Sequence, residues 1–429
     1  MANSRLIFDQ WEPLYAKRMS HLRRSAVRDL FAAVSRPDVI GLSGGMPDIT
    51  SLPQDLVAQC AAKAIEEEGL SALQYGGSDG RIQMRQVACN ILETQGIHVS
   101  CDEVILTSGS QQILDFLGRV FIDEGDTIIC EGPSYLGALQ AFSAYRPHVI
   151  CIEMDDEGMR MDLLEAKLKE LGVSGAKFIY TIPNFNNPAG ITMTYERRKR
   201  LIELSHEYKI PVVEDDPYGR LRYEGEHVQC LKAMDPQVIY LGTASKIFAP
   251  GLRLAWCAAP KPLIDKMNLS LQGAGLCIST LTQVVAEHYF NETDWQATLE
   301  KSIAIYDTRR RAMLDALEEF FPPEAKWTHP EGGFFLWVTL PDYFDTDQML
   351  SVALDHGVAY VPGSNCYPDG RGKSSFRIAF CYEEPEKIRE AIRRLAEVIE
   401  ERMSLYRAFM EAGALPESPY FAKETQCLD

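Results

Sequence analysis

The sequence predicts an α/β protein with one large domain and one smaller α+β domain. Three observations carry this. From about residue 100, short apolar runs alternate with longer stretches of helical periodicity. Each apolar run stops at a polar or glycine-rich turn, and in open parallel sheets the turns after the strands form the ligand crevice. A chain of 429 residues also exceeds what one hydrophobic core usually supports.

Taken in order, "SAVRDLFAAVS" (25–35) has helical spacing and leads to a glycine turn in "LSGGMPD" (42–48). "EVILT" (103–107) reads as a strand, then the turn "SGS" and the helical "QQILDFLGRVFIDEG". "TIIC" (127–130) runs into "EGPSY", "KFIYTIP" (177–183) into "NFNNPAG", and "ERRKRLIELSHEYK" (196–209) is a helix. "IPVVED" (210–215) meets "DPYGR", and "VIYLGT" (238–243) ends just before Lys246. "DWQATLEKSIAIYDTRRRAMLDALEEFF" (294–321) predicts a long amphipathic helix leading to the second domain. There "GGFFLWVTL", "GVAYVPG" and "SSFRIAFC" read as short strands and "EPEKIREAIRRLAEVIEERMSLYRAF" as a closing helix, before a loosely held tail.

Composition narrows the function. A formal charge of −18 opposes non-specific binding to nucleic acid or an anionic membrane. Eleven scattered cysteines without a C-x-x-C pair point to a reducing compartment. No secretory leader and no apolar run near the ~18 residues of a span is read, so the expected location is the cytoplasm. The histidines show no metal-ligand spacing, and no metal is expected.

Three segments at strand ends carry candidate chemistry. In "TSGSQQ" (107–112), backbone N–H groups with Ser110 and Gln111 suit a phosphate at a helix N-terminus, although a plain helix cap has the same composition. "VVEDDPYG" (212–219) sets Glu214, Asp215 and Asp216 after apolar residues, so a cationic partner is expected for one of them; a solvated turn is the alternative. "TASKIFAPGLRLAW" brings Lys246 and Arg253 to one strand end, where an anion between them relieves their repulsion. A desolvated lysine beside a second cation is also a nucleophile for carbonyls, forming a Schiff base.

Combined in this order, the motifs "LSGGMPD", "LQYGGSDG", "TSGSQQ", "EGPSY", "PNFNNPAG", "EDDPYG", "TASKIFAPGLRLAW" and "FRIAF" resemble those of fold-type I, class I/II pyridoxal-phosphate (PLP) aminotransferases. The similarity is greatest to the branch holding 2-aminoadipate, kynurenine and related aromatic or branched-chain aminotransferases. It spans residues 42–380, with a weaker match back to "SAVRDL". The resemblance implies a mixed, mostly parallel seven-stranded sheet sandwiched by helices. It also implies an N-terminal segment (1–51) that joins the small domain and lines the site, a large PLP-binding domain (52–296) and a small domain (297–429).

By the same resemblance Lys246 is the Schiff-base lysine and proton carrier, and Asp215 keeps the pyridine nitrogen protonated. Asn187 and Tyr218 bind the phenolate oxygen, and Tyr135 stacks on the ring. Ser110, Gln111, Thr243, Ser245 and Arg253 hold the phosphate, with Tyr75 reaching the phosphate of the neighbouring subunit of a homodimer whose sites lie at the interface. Arg377 binds the substrate α-carboxylate, with Asn187 beside it, and Gly45 lies where the backbone approaches the substrate. Arg28 either turns inward to a distal carboxylate or faces water. Ala189 and Thr243 stand where threonine and serine are common in the family, and neither change removes a needed donor. The implied reaction moves an amino group from an L-amino acid to a 2-oxo acid, 2-oxoglutarate being the expected acceptor, by a ping-pong route.

Other readings are weaker. A lyase or decarboxylase on the same cofactor is separated by kinetics. A transcriptional effector module of the same fold carries a DNA-binding domain for which the segment before "LSGGMPD" is too short. "SGAK" (174–177) lacks the partners of a serine acyl-enzyme, and no G-x-G-x-x-G follows a strand.

Overall fold

The structure is a computed structural model, and it describes residues 9–21 and 36–412. The helix expected at 25–35, Arg28 within it, and the tail after 412 lie outside the described residues.

The strands in chain order are β1 (Ile40–Gly41), β2 (Val104–Thr107), β3 (Thr127–Gly132), β4 (His148–Asp155), β5 (Gly158–Met159), β6 (Ile179–Thr181), β7 (Val212–Asp215), β8 (Ile239–Thr243) and β9 (Ala255–Ala258). After a helix at Trp295–Phe320 come β10 (Lys326–Trp327), β11 (Phe335–Thr339), β12 (Val358–Ala359), β13 (Val361–Pro362) and β14 (Ser375–Ala379). The larger sheet has the order β2-β9-β8-β7-β6-β3-β4-β5. Its seven strands of three or more residues form the predicted sheet, and a two-residue eighth, β5, is added. The addition is a tight hairpin: Asp155 accepts the Glu157 N–H at 3.0 Å, Gly158 sits at φ 101°, and β5 folds back antiparallel on β4.

The pairings β8–β7, β7–β6, β6–β3 and β3–β4 are parallel. β9 runs against both its neighbours, β2 and β8. Strands β2, β3, β4, β6, β7 and β8 therefore all end at the same edge of the sheet. The central strands are mostly apolar on both faces because helices cover both, as a buried parallel sheet requires. One cluster joins Leu106, Phe116, Phe142 and Tyr240 on one side, and another joins Ile129, Leu168, Leu204 and Val212 on the other.

A four-stranded antiparallel sheet, β10-β11-β14-β13, forms the second unit. Its core unites Leu336, Val338, Phe376 and Ile378 with Ile388, Leu395 and Ile399 of the closing helix Pro385–Glu411. Leu42 belongs to this core, and β1 pairs in parallel with β12, Ile40 opposite Val358. The segment around residue 42 is thus part of the second unit although it precedes the first in sequence. The long helix starts one residue inside the predicted span: the Asp294 side chain caps it by accepting the Ala297 N–H at 3.0 Å. From this helix Arg309 pairs with Asp48 at 2.7 Å and Glu384 at 2.6 Å, and Arg310 with Glu224 at 2.7 Å. These buried guanidiniums fasten the two units together.

Candidate active site

At the common strand edge the turns after β2, β3, β6, β7 and β8 converge on a cavity of about 1050 Å³. Ser110, Gln111, Tyr135, Asn187, Asp215, Tyr218, Thr243, Ser245, Lys246 and Arg253 all line it, joined by Gly45 and Arg377 from the second unit. Of the residues singled out in the sequence, Tyr75 is not brought to the cavity of its own chain. It is 77% exposed.

The three acids at the end of β7 have separate tasks set by strand alternation. Glu214 points away from the cavity and accepts the Leu231 and Lys232 N–H groups at 3.0 and 2.8 Å. Asp216 accepts Asn184 and Gly219 at 2.9 Å and the Tyr240 hydroxyl at 2.9 Å, fixing the turn that carries Tyr218. Asp215 alone faces the cavity, 3% exposed, with one oxygen accepting the Tyr180 hydroxyl at 2.8 Å. Burial pushes its carboxyl up to about 7, against the pull of Tyr180. Hydrogen-bond donors meet all three acids and none forms an ion pair among the described residues, so the cationic partner expected for one of them is left to a group bound in the cavity that Asp215 faces.

Lys246 lies on the turn after β8. Its Nζ donates to the Gly45 carbonyl at 3.0 Å and stands 5.3 Å from the centre of the Phe334 ring. Burial, with Arg253 and Arg377 nearby, pushes the ammonium down to about 8. The Thr243 hydroxyl donates to Ser245 Oγ at 2.9 Å and accepts the Ser245 N–H at 3.1 Å, shaping the same turn. Arg253, at φ 53°, folds back so that Nη2 reaches the Ser108 carbonyl at 3.4 Å, beside the N-terminus of the helix Ser110–Phe121. Gln111 is held by donating to the Gly137 carbonyl at 2.7 Å.

Arg377, on β14, is 5% exposed. It donates from Nη1 to Asn187 Oδ1 at 2.8 Å and from Nη2 to the Ser43 carbonyl at 2.6 Å, and its carbon centre lies 4.2 Å from the centre of the Phe335 ring. Its Nε is buried without a partner, and no carboxylate among the described residues pairs with it. Since Asn187 Oδ1 is taken by the arginine, the amide's donor end is free for the cavity.

The sequence did not single out Tyr180, which reads as one more core residue of an apolar strand. Nor did it single out Phe335, Leu136, Ile182 or Met46, which line the walls. The doublet "FF" at 334–335 was the available signal: both rings pack against Tyr218, Phe334 beside Lys246 and Phe335 beside Arg377.

PLP fits this donor set. The cavity offers a desolvated amine, a buried acid, and a guanidinium next to a helix N-terminus; an aldehyde, a ring nitrogen and a phosphate call for these three. The cradle is tight at Gly109: at φ 89° it leaves no room for a Cβ, which would strike the Arg253 guanidinium. Gly109→Ala is therefore expected to displace Arg253 and weaken PLP binding to the apoprotein roughly 10- to 100-fold, the loss of a charged hydrogen bond. An absorbance titration measures this, and an unchanged affinity would remove Arg253 from the phosphate site.

The fold and this cavity define a PLP enzyme of fold type I. Residues 37–395 match the family model for aminotransferase class I and II, and the chain belongs to that family. An aromatic-amino-acid aminotransferase of Thermococcus litoralis is 46% identical over 398 residues, covering 92% of this chain and 95% of that one. A kynurenine aminotransferase of Pyrococcus horikoshii, solved with PMP and kynurenine, is 44% identical with a TM-score of 0.88, covering 92% of this chain and 98% of that one. LysN, an alpha-aminoadipate aminotransferase of Thermus thermophilus solved with N-(5'-phosphopyridoxyl)-L-leucine, is 33% identical with a TM-score of 0.86, covering 92% and 100%. The activity is PLP-dependent transfer of an amino group.

Proposed function

We propose that this aminotransferase takes large aromatic or branched L-amino acids as donors, 2-aminoadipate-type donors being the further class, and 2-oxoglutarate as acceptor. The observation that carries the reading is Arg377: a buried guanidinium without a carboxylate, aimed into the cavity that holds Lys246. A buried charge of this kind calls for an anion, and a planar carboxylate matches its fork. One such site serves both amino acid and oxo acid, so the two take turns, which is the ping-pong route.

When bound, PLP supplies an aldehyde that condenses with amines and a ring that withdraws electrons from the substrate α-carbon. Lys246 Nζ is the covalent anchor and then carries the proton from the α-carbon. Asp215 holds the proton on the ring nitrogen. Asn187 and Tyr218 donate to the phenolate oxygen, and Tyr135 covers the ring. Thr243, Ser245, Arg253, Ser110 and Gln111 hold the phosphate, and Gly45 presents backbone to the substrate. The apolar lining residues Met46, Leu136, Ile182 and Phe335 suit an apolar side chain. By the family resemblance, a distal carboxylate would be met by Arg28 if that residue turns inward rather than to water.

We further propose a homodimer with Tyr75 reaching the phosphate of the neighbouring subunit. The exposure of Leu70, Leu73 and Tyr75 along one segment supports a partner there. The proposed domains are 1–51, 52–296 and 297–429, the first joined to the third. A cytoplasmic location accords with the free thiols of the described cysteines. No helix among the described residues is long and apolar enough to cross a membrane.

A donor panel with 2-oxoglutarate, run on wild type and Arg28→Ala, tests the specificity. Aromatic donors are expected to be used best and to be indifferent to the substitution, while 2-aminoadipate loses roughly tenfold or more in kcat/KM with the variant. Parallel double-reciprocal lines are expected for wild type. Equal use of 2-aminoadipate by both proteins would remove Arg28 from the site.

A further inference from the structure

We propose that Glu131 is a positioning residue for the substrate-carboxylate site, acting through Asn186 to fix the turn that presents Asn187 to Arg377. The proposal rests on the reading of Arg377 given above.

Glu131 is the penultimate residue of β3 and is 1% exposed. It does not line the cavity. A carboxylate here is costly to bury, and what it receives in return is specific. Thr181 Oγ1 donates to Oε1 at 2.6 Å; the Ile182 N–H and Asn186 Nδ2 donate to Oε2 at 2.9 and 2.6 Å. All three donors belong to the segment 181–186 that leads from β6 into Asn187.

Asn186 is held at both ends of its amide. While Nδ2 donates to Glu131, Oδ1 accepts the Ala189 N–H at 3.0 Å, spanning the turn. Its backbone is closed as well, N–H to the Ile191 carbonyl at 2.8 Å and carbonyl to the Gly190 N–H at 2.6 Å. The next residue places its Oδ1 2.8 Å from Arg377 Nη1. Of the two acceptors that hold the guanidinium, Ser43 belongs to the second unit's own core segment, whereas Asn187 takes its place from Glu131. An arginine fork must sit within about half an ångström to engage a carboxylate through both nitrogens. Removing the Glu131 carboxylate leaves three buried donors unmet and releases the turn.

A merely structural role, gluing β3 to β6, would lower stability and PLP affinity without singling out the carboxylate. The test therefore uses the holoenzyme and 3-phenylpropionate, a carboxylate with an aromatic end and no amino group, followed by calorimetry. PLP affinity of each apoprotein is measured in parallel. Glu131→Ala is expected to weaken the probe roughly 10- to 100-fold and PLP by a clearly smaller factor. Asn187 is one of two acceptors on Arg377 but one of many groups around the cofactor, whose anchor and phosphate site lie on other turns. Glu131→Gln is expected to stay near wild type, because the Thr181 hydroxyl can turn to accept from the new amide. Asn186→Ala is expected to resemble Glu131→Ala, and the double variant to lose no more than the worse single one.

Probe binding by Glu131→Ala and Asn186→Ala equal to wild type overturns the proposal. So do parallel losses of probe and PLP, or additive losses in the double variant. If Glu131→Ala does not fold, Asn186→Ala against Glu131→Gln decides by the same criteria. Arg377→Ala separates the two levels: unchanged probe binding there sinks the carboxylate reading itself, while a loss there with none in the Glu131 and Asn186 variants sinks only the role of Glu131.

Discussion

Replacing Lys246 by alanine is expected to leave a folded protein that binds PLP reversibly and has lost amino transfer by about 10⁴-fold or more, the scale of removing a positioned proton carrier and nucleophile together. Among the described residues the cavity offers no substitute. Arg253 and Arg377 are the other cations lining the cavity, and a guanidinium does not give up its proton near neutrality. The decisive readout is covalent retention: after borohydride treatment and dialysis, wild type keeps its cofactor and Lys246→Ala does not. Retention by the variant would mean that another amine is the anchor. In the wild-type apoprotein, uptake of PLP is expected to quicken as pH rises through about 8, where burial has placed the Lys246 amine. Between about 8 and its ordinary value of 10.5 the unfolded chain binds the extra proton, so this group makes the apoprotein more stable as pH climbs through that window.

Asp215→Asn is expected to lower kcat roughly 10²- to 10³-fold with a smaller effect on KM. The amide keeps the shape and the contact with Tyr180 but cannot hold a positive charge on the ring nitrogen. The apoprotein gives an independent check. The Asp215 carboxyl lies at about 7 in the fold against an ordinary 3.8, so the native state binds the extra proton between these values. Its contribution to stability is full below about pH 4 and is lost as pH rises through about 7. Asparagine does not titrate, so the apo variant should gain on wild type as pH rises from about 4 to about 7 in thermal melting. A constant difference across that range would show that Asp215 ionises freely and is not the buried acid described.

Most of the site was legible because its residues sit at the ends of apolar runs, where β-strand alternation and the turn that follows leave few choices. Lys246, Asp215 and Ser110 were placed this way, and Asn187 and Arg377 came from the family motifs. Direction was not legible: β9 has the same apolar reading as its neighbours, and nothing in "LAWCAA" says that it runs backwards. The hairpin strand β5 is too short to have a period. Tyr180 and Glu131 escaped for a shared reason. Each works through a side chain on another strand, and pairing between β3, β6 and β7 is long-range information that local pattern lacks. Tyr75 stands away from the cavity, and Arg28 lies outside the described residues.

The reversal of β9 has one more consequence. Because it pairs antiparallel with β8, Thr243 opposite Ala255, the loop between them is clamped at its base, and Lys246 and Arg253 ride on that single clamped loop. Chain length there is a fixed gauge: adding a residue would shift the grip on the aldehyde and on the phosphate at the same moment. Drift in length should therefore collect at the sheet's outermost strand, around the β4–β5 hairpin, and spare this loop.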